Sequence, residues 1–218
     1  MHFVRVRRAR RYILRLRPDG DLRVTIPRGG SRAEALRFAE RHLEWAERQR
    51  AKQQLRPAAP PARWTDGTTI LIDGEPAVIR CARENGRIIA RAASMAVPIR
   101  AFEEDVRPAL VQAMRTRARD ELIPQLHGLA ARLGLEVAAV SIRDQRSRWG
   151  SCSTRGHIAL NYRLIQMPPD VREYILLHEL MHLRQPNHSR RFWSLVEKVC
   201  PRFRDAERWL KTIGQGLL

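Results

Sequence analysis

A histidine pair four residues apart, with a glutamate directly after the first histidine, constrains this chain more than any other feature. It lies at His178-Glu179-Leu180-Met181-His182. An α-helix turns once per ~3.6 residues, so both imidazoles lie on one face and can bind one metal ion from the same side. Glu179 follows about 100° further round the helix, where its carboxylate can reach the open position of the metal. The motif predicts a metal-dependent hydrolase, with this carboxylate as general base towards a water that the metal activates.

The residues around the motif predict a helix with a defined beginning and end. Asp170, with Glu173 three residues later, predicts an N-cap and a capping box. Pro186 is expected to end the helix shortly after His182. The positions expected to face the core are Val171, Ile175, Leu176, Leu177, Leu180 and Leu183. The alternative interpretation is a core helix that the two histidines merely cap.

A third ligand is needed, because a catalytic zinc usually has three protein ligands and an open position for water. His188 is the first candidate, since it follows a Pro-Asn turn at the opening of the next predicted helix. Glu197 on that helix and His157 at the start of a predicted strand are the alternatives. Cys152 is a further candidate ligand or nucleophile, although a lone cysteine in such a loop is more often a packed small residue.

The net charge of the chain is strongly positive. Its 218 residues include 41 Lys and Arg against 23 Asp and Glu, which gives +18. Such a charge predicts attraction to nucleic acid and other polyanions. Only Lys52, Lys198 and Lys211 are lysines, and so strong an arginine bias is also explained by the codon composition of the source. Nucleic acid is therefore kept as a candidate partner through the basic surface.

Cysteine content and hydropathy narrow the class of protein. The three cysteines contain no C-x-x-C pair, so neither a disulfide framework nor a zinc knuckle is predicted. The basic N-terminus lacks the apolar stretch of a secretory signal, and no apolar run is long enough for a membrane span. We therefore expect a cytoplasmic protein that has no membrane partner.

The first 95 residues predict a β-rich region with one helix. Alternating apolar residues at 3–16 and 22–27, around Asp19-Gly20, predict an antiparallel hairpin. Ser31 and Glu34 form a capping box for a helix that extends to about Gln54. Residues 57–61 are the best candidate linker. Further strands are predicted at residues 68–72, 77–81 and 87–91, with Asp-Gly and Asn-Gly hairpin turns at 73–74 and 85–86.

Residues 96–218 predict the second domain. Helical periodicity covers residues 102–133, with Pro124 as a candidate kink. Strands are predicted at 137–143 and 157–164. The motif helix follows, and then helices at about 189–200 and 202–213. A helix, two strands and a metal-binding helix form an α+β layout.

Six residues outside the motif are candidates for a role around the metal. Candidate substrate or transition-state contacts are Arg148, Asn161 and Tyr162. A core role is the alternative for the last two. Phe192 and Trp193 are expected to lock the following helix onto the motif helix and to hold His188. Trp149 is expected to anchor the core behind the site.

Several segments together resemble the YgjP-like metallopeptidase family. They are RWGSC at 148–152, LNYRL at 160–164, HELMHL at 178–183, NHS at 187–189 and FW at 192–193. Members are compact zincins, similar in their catalytic core to SprT-like and Wss-type proteases. These segments together are much more specific than the histidine motif alone.

This resemblance implies a zinc metallopeptidase that hydrolyses peptide bonds of a protein or peptide substrate. One zinc per chain would be held by His178, His182 and His188, with Glu179 as the catalytic base. The implied fold is α+β, a zincin-like core of a small sheet, the motif helix and following helices, preceded by an N-terminal antiparallel β element and helix. Kinship with proteases that act on DNA-crosslinked proteins agrees with the basic charge. An extended substrate is expected to pair with residues 157–164, if that strand is an edge.

Two alternatives use the same residues differently. A metal-dependent hydrolase other than a peptidase would apply the same water chemistry to another bond. A basic nucleic-acid-binding protein with a structural zinc would need a closed site of four ligands. Cys152 or His157 would then be the fourth.

Overall fold

A computed structural model of the chain describes residues 1–17, 19–54, 63–100 and 105–218. Contacts between Cα atoms divide the chain into two compact units, Met1–Pro57 and Ala58–Leu218. The division falls beside the linker predicted at 57–61, which itself lies outside the described residues. It differs from the boundary expected between residues 95 and 96, because the hairpins before residue 95 share a core with the helices after it.

The first unit is a three-stranded sheet with two helices. Its elements are β1 (His2–Arg5), β2 (Ile13–Leu16), β3 (Leu22–Ile26), α1 (Arg32–Glu40) and α2 (Leu43–Gln54). The predicted hairpin is confirmed for β2 and β3, which pair antiparallel. The single strand predicted over residues 3–16 is wrong: the chain turns at Arg7 and Arg8, and β1 pairs parallel with β3. The sheet is therefore mixed rather than antiparallel.

The predicted capping box of the first helix is confirmed. The Ser31 hydroxyl accepts a hydrogen bond from the Glu34 amide, and the Glu34 carboxylate accepts one from the Ser31 amide. The helix expected to reach Gln54 is instead broken at Arg41 and His42, between the end of α1 at Glu40 and the start of α2 at Leu43. The small core of this unit consists of Val24, Ile26, Ala35 and Ala39 with Phe3, Tyr12, Leu14 and Phe38 around them.

The second unit contains the remaining described strands and α-helices. They are β4 (Thr69–Ile72), β5 (Glu75–Val78), β6 (Arg80–Glu84), β7 (Arg87–Ala92), β8 (Met95–Ile99), α3 (Arg107–Arg132), β9 (Ala139–Arg143), β10 (Gly150–Cys152), β11 (His157–Asn161), α4 (Pro169–Met181), α5 (Arg190–Val199) and α6 (Phe203–Thr212). Both predicted hairpin turns are confirmed, with positive φ at Asp73, Gly74, Asn85 and Gly86. Such angles match the twist of a two-residue hairpin. The mixture of helices and small sheets confirms the α+β class.

Helix α3 is the longest helix of the described chain. Its buried residues recur at four-residue intervals, at Leu110, Met114, Ala118, Leu122 and Leu126. Pro124 lies inside the helix without dividing it, and the start expected at residue 102 lies outside the described residues. Among the helices of the described ranges, none combines the length and the apolar character needed to cross a membrane.

The sheet next to the motif helix has the order β10-β11-β9. β11 pairs antiparallel with β10 and parallel with β9. It is therefore the central strand, and the expectation that a substrate adds alongside residues 157–164 is wrong. The second half of that segment is also not a strand, because residues Tyr162–Gln166 form a 3₁₀ helix.

The beginning of α4 is fixed by the β4–β5 turn. The amides of Asp73 and Gly74 donate to the carbonyls of Ile165 and Gln166, at 2.9 and 3.1 Å. The N-cap of α4 is Pro168, with no side-chain cap. The capping box predicted from Asp170 is thus wrong, because contacts from a distant hairpin position this helix end instead.

Four charged side chains reinforce the same junction. Arg172 of α4 pairs with Asp73 and, at 3.2 Å, with Glu121 of α3. Arg117 of α3 pairs with the same two carboxylates at 2.7 and 2.6 Å. Arg172 is buried, so its charge depends on these partners, since an unpaired buried charge is strongly destabilising. One ionic network therefore joins the β4–β5 hairpin, α3 and α4.

We predict that Gly74→Ala destabilises the protein more than Gly86→Ala does. Both glycines have positive φ, so each substitution introduces backbone strain of about 1–2 kcal/mol. A Cβ at Gly74 would also lie 2.5 Å from Pro168 Cγ, whereas a Cβ at Gly86 meets nothing within 4 Å. The overlap is expected to add about 1–3 kcal/mol. Equal urea-unfolding free energies for the two variants would contradict this account of the junction.

Candidate metal centre

Helix α4 and the turn after it bring three histidines together. His178 lies in the last part of α4, His182 is its C-cap, and His188 precedes α5. One ring nitrogen of each lies within 4.8 Å of the others. The Nε2 atoms of His178 and His188 are 3.1 Å apart. Two nitrogen ligands of a tetrahedral zinc, each at about 2.0–2.1 Å, lie roughly 3.3 Å from each other, so the spacing suits a metal ion.

Hydrogen bonds orient two of these rings. Nδ1 of His182 lies 3.1 Å from the Gln185 carbonyl, to which an Nδ1–H donates. Nδ1 of His178 lies 3.4 Å from the Tyr174 hydroxyl. The first contact leaves Nε2 of His182 with its lone pair free for a metal, and the second does the same for His178 when its Nδ1–H donates to the hydroxyl oxygen. Tyr174 precedes His178 by four residues in the predicted helix, so this contact could have been inferred from the sequence.

Burial favours the neutral form of two of the three histidines. Burial, with His182 and His188 nearby, lowers the pKa of His178 to about 3. Burial also lowers the pKa of His182. A neutral imidazole is the form that binds a metal, so no proton has to be displaced from these two rings at neutral pH.

Aromatic rings of α5 surround the histidines. Phe192 is fully buried, and its ring centroid lies 4.9, 4.5 and 4.8 Å from those of His178, His182 and His188. Trp193 lies 5.9 Å from His178 and stacks on His188 at 5.8 Å. These two side chains hold α5, and with it the preceding turn, against α4. His188, the most exposed of the three histidines, depends on that packing for its position.

Glu179 lies in a slot between α4 and β10. It is 5% exposed, and burial raises its pKa to about 8, although Arg148 acts in the opposite direction. A Cβ built on Gly150 would lie 2.5 Å from its Oε1. Burial and, secondarily, the Glu179 charge raise the pKa of Cys152 to about 11, so this cysteine is a neutral thiol. Sequence analysis did not assign Gly150 any part in the site.

Asn161 acts on the loop before β10. It is fully buried, and its Nδ2 donates to the carbonyls of Gln145 and Arg148 at 2.7 and 3.0 Å. Its Oδ1 accepts from the Arg163 amide at 3.1 Å. Both ends of its side-chain amide are thus used in hydrogen bonds to backbone groups. This geometry favours the core role of Asn161 over a contact with substrate.

The other predicted contacts are divided between surface and core. Arg148 is exposed, and its charge acts on Glu179. Tyr162 is 3% exposed, and the guanidinium groups of Arg115 and Arg163 cover its ring at 5.3 and 4.6 Å. Trp149 packs against the core beside Gly214 rather than against the histidines. Of the candidate substrate contacts, Arg148 is the one with an exposed side chain.

The alternative ligands lie apart from the histidine cluster. His157 is exposed at the start of β11, and Glu197 is exposed on α5, where it lines a cavity with Phe203 and Glu207. Within the described ranges, the group of side chains able to share a metal has three members and includes neither of these nor Cys152. Three ligands with a free position are typical of catalytic rather than structural sites.

Comparison with known proteins agrees with this geometry. The family model described as the YgjP-like metallopeptidase domain matches residues 10–213. Among solved structures, the crystal structure of the metallopeptidase zymogen of Pyrococcus abyssi abylysin is similar, with 30% identity over 41% of this chain and 92% of that chain, and a TM-score of 0.37. No curated protein shows a significant match. Because the family model covers nearly the whole chain, including the three histidines, the chain belongs to the YgjP-like metallopeptidase family.

Proposed function

We propose that the chain is a zinc-dependent peptidase in which His178, His182 and His188 hold the metal and Glu179 is the general base. The observation that carries this proposal is the cluster of three imidazole nitrogens within 4.8 Å of one another. Nitrogen ligands in this number favour zinc with one open position over calcium or magnesium, which take oxygen ligands. Family membership supports the peptidase reaction.

The chemistry divides between the metal and the protein. Zinc, when bound, supplies a Lewis acid that polarises a carbonyl and lowers the pKa of a water to about 7. Glu179 accepts the proton of the attacking water and passes it to the nitrogen of the leaving amine. Burial raises the proton affinity of this carboxylate, and a zinc ion nearby would favour its ionised form, in which it can accept a proton.

The open edge of β10 is the proposed binding surface for an extended peptide. The ladder with β11 includes hydrogen bonds from the Asn161 amide to the Trp149 carbonyl and from the Ser153 amide to the His157 carbonyl. Since backbone groups of an antiparallel strand alternate in direction, those of Gly150 and Cys152 are turned towards the open edge. A peptide paired there would lie beside Glu179. Exposed Arg148 would contact the same peptide.

A structural zinc in a nucleic-acid-binding protein is less well supported. Such a site needs a fourth protein ligand, and the metal-binding group of the described residues has three. The alternative of a non-peptidase hydrolase is disfavoured by the family assignment.

The first prediction concerns the metal. Elemental mass spectrometry is expected to find about one zinc per chain in the wild type and in His157→Ala, since His157 lies outside the cluster. His188→Ala should lose at least about tenfold in zinc affinity, because two histidines then hold the ion instead of three. Full zinc affinity in His188→Ala would remove His188 from the ligand set and direct attention to Glu197.

The second prediction concerns turnover. Glu179→Gln should retain zinc but lose about 10²–10⁴-fold in kcat on denatured casein, because an amide cannot accept the proton. Glu197→Gln is the matched control and should cleave at the wild-type rate, since this glutamate is exposed on α5. Wild-type cleavage by the Glu179→Gln variant would reject Glu179 as the base.

A further inference from the structure

We propose that Gly150 is a positioning residue for Glu179: the missing side chain at this point of β10 forms the slot that holds the carboxylate in its working position. This inference rests on the proposed function, because it assigns a partner to the proposed base. It extends that function to a strand residue that has no chemical group of its own.

Space, rather than backbone conformation, requires glycine at this position. Gly150 does not have the positive φ that favours glycine elsewhere in the chain. A Cβ built on it would lie 2.5, 2.7 and 2.8 Å from Oε1, Cγ and Cδ of Glu179. All three distances are shorter than the 3.0 Å below which Cβ atoms are essentially never found next to another heavy atom. Because Cγ is included, rotating the carboxylate alone cannot relieve the overlap.

Strand β10 is poorly able to withdraw from α4. Gly150 is opposite Leu160 in the ladder with β11, and the Asn161 amide donates to the Trp149 carbonyl at 2.8 Å. The Asn161 side chain also holds the loop that enters the strand, through Gln145 and Arg148. An added methyl group would therefore displace Glu179 rather than the strand. Displacement of a catalytic group by about 1 Å can lower a rate about 10²-fold.

The same strand bears the proposed peptide-binding edge. Gly150 thus has its side-chain position towards Glu179 and its backbone groups towards the open edge. A peptide that pairs with β10 is then positioned by the residue that positions the base. Because β10 contacts both the peptide and Glu179, this strand would set the distance between the scissile bond and the Glu179 carboxylate.

The kinetic test uses zinc-loaded protein and a quenched fluorescent peptide taken from the fastest cleavage site in casein. Gly150→Ala is expected to lower kcat by about 10–10²-fold with zinc content unchanged. Gly128→Ala is the control, because a Cβ there meets nothing within 4 Å; its kcat should equal that of the wild type. KM should stay at the wild-type value, because the substitution keeps the backbone groups to which the peptide binds. A wild-type kcat in Gly150→Ala, or an equal loss in Gly128→Ala, would overturn the inference.

A second measurement, of thermal unfolding, tests the inference without requiring catalytic activity. Gly150→Ala is expected to lower the thermal unfolding midpoint by about 3–10 °C in an otherwise unchanged chain. In the Glu179→Ala background the slot is empty, and the same substitution should shift the midpoint by less than about 1 °C. An equal drop in both backgrounds would show that Gly150 does not act through Glu179. If the wild type cleaves no peptide, the proposed peptidase function fails, while this cycle still accepts or rejects the contact.

Discussion

The burial of Glu179 between α4 and β10 is the constraint on which the proposed active site depends. An ionisable group removed from water is destabilising unless a charge or hydrogen bond compensates it. Its Oε2 has no hydrogen-bond partner among the described residues, and the pKa shifts of Glu179 and His178 both disfavour their charged forms. Imidazole nitrogens, and a buried carboxylate on the same helix as two of them, form an environment that a divalent cation would stabilise. The packing of α5 and the sheet maintains this arrangement.

Local features of the fold could be predicted because neighbouring residues determine them. The spacing of His178 and His182, the capping box at Ser31 and the hairpin turns at 73–74 and 85–86 each depend on fewer than six consecutive residues. In each case the sequence contains the whole physical cause. The order of the predicted helices and strands indicated the α+β class, and the resemblance to a family added the zincin-like core, which no short segment determines.

Features that depend on distant contacts could not be predicted in the same way. β10 has three residues, too few for a periodic pattern, and it exists because β11 pairs with it. Asn161 looks like a substrate contact in the sequence, yet its burial against a loop more than ten residues earlier makes it structural. Pro168 begins α4 without a side-chain cap because the β4–β5 turn packs against it.

The ionic network at the start of α4 has a consequence for the size of a minimal catalytic fragment. A fragment begun at residue 96, on the evidence of the sequence alone, would lack Asp73. Arg117 and Arg172 would then share Glu121 as their remaining partner in that network, and the 3₁₀ helix that precedes α4 would lose both backbone hydrogen bonds from the turn. A fragment that keeps this network intact must therefore start before β4. Natural or engineered shortening of this protein should spare the β4–β5 hairpin, even though its turn at Asp73 and Gly74 lies more than 100 residues before the first metal ligand, His178.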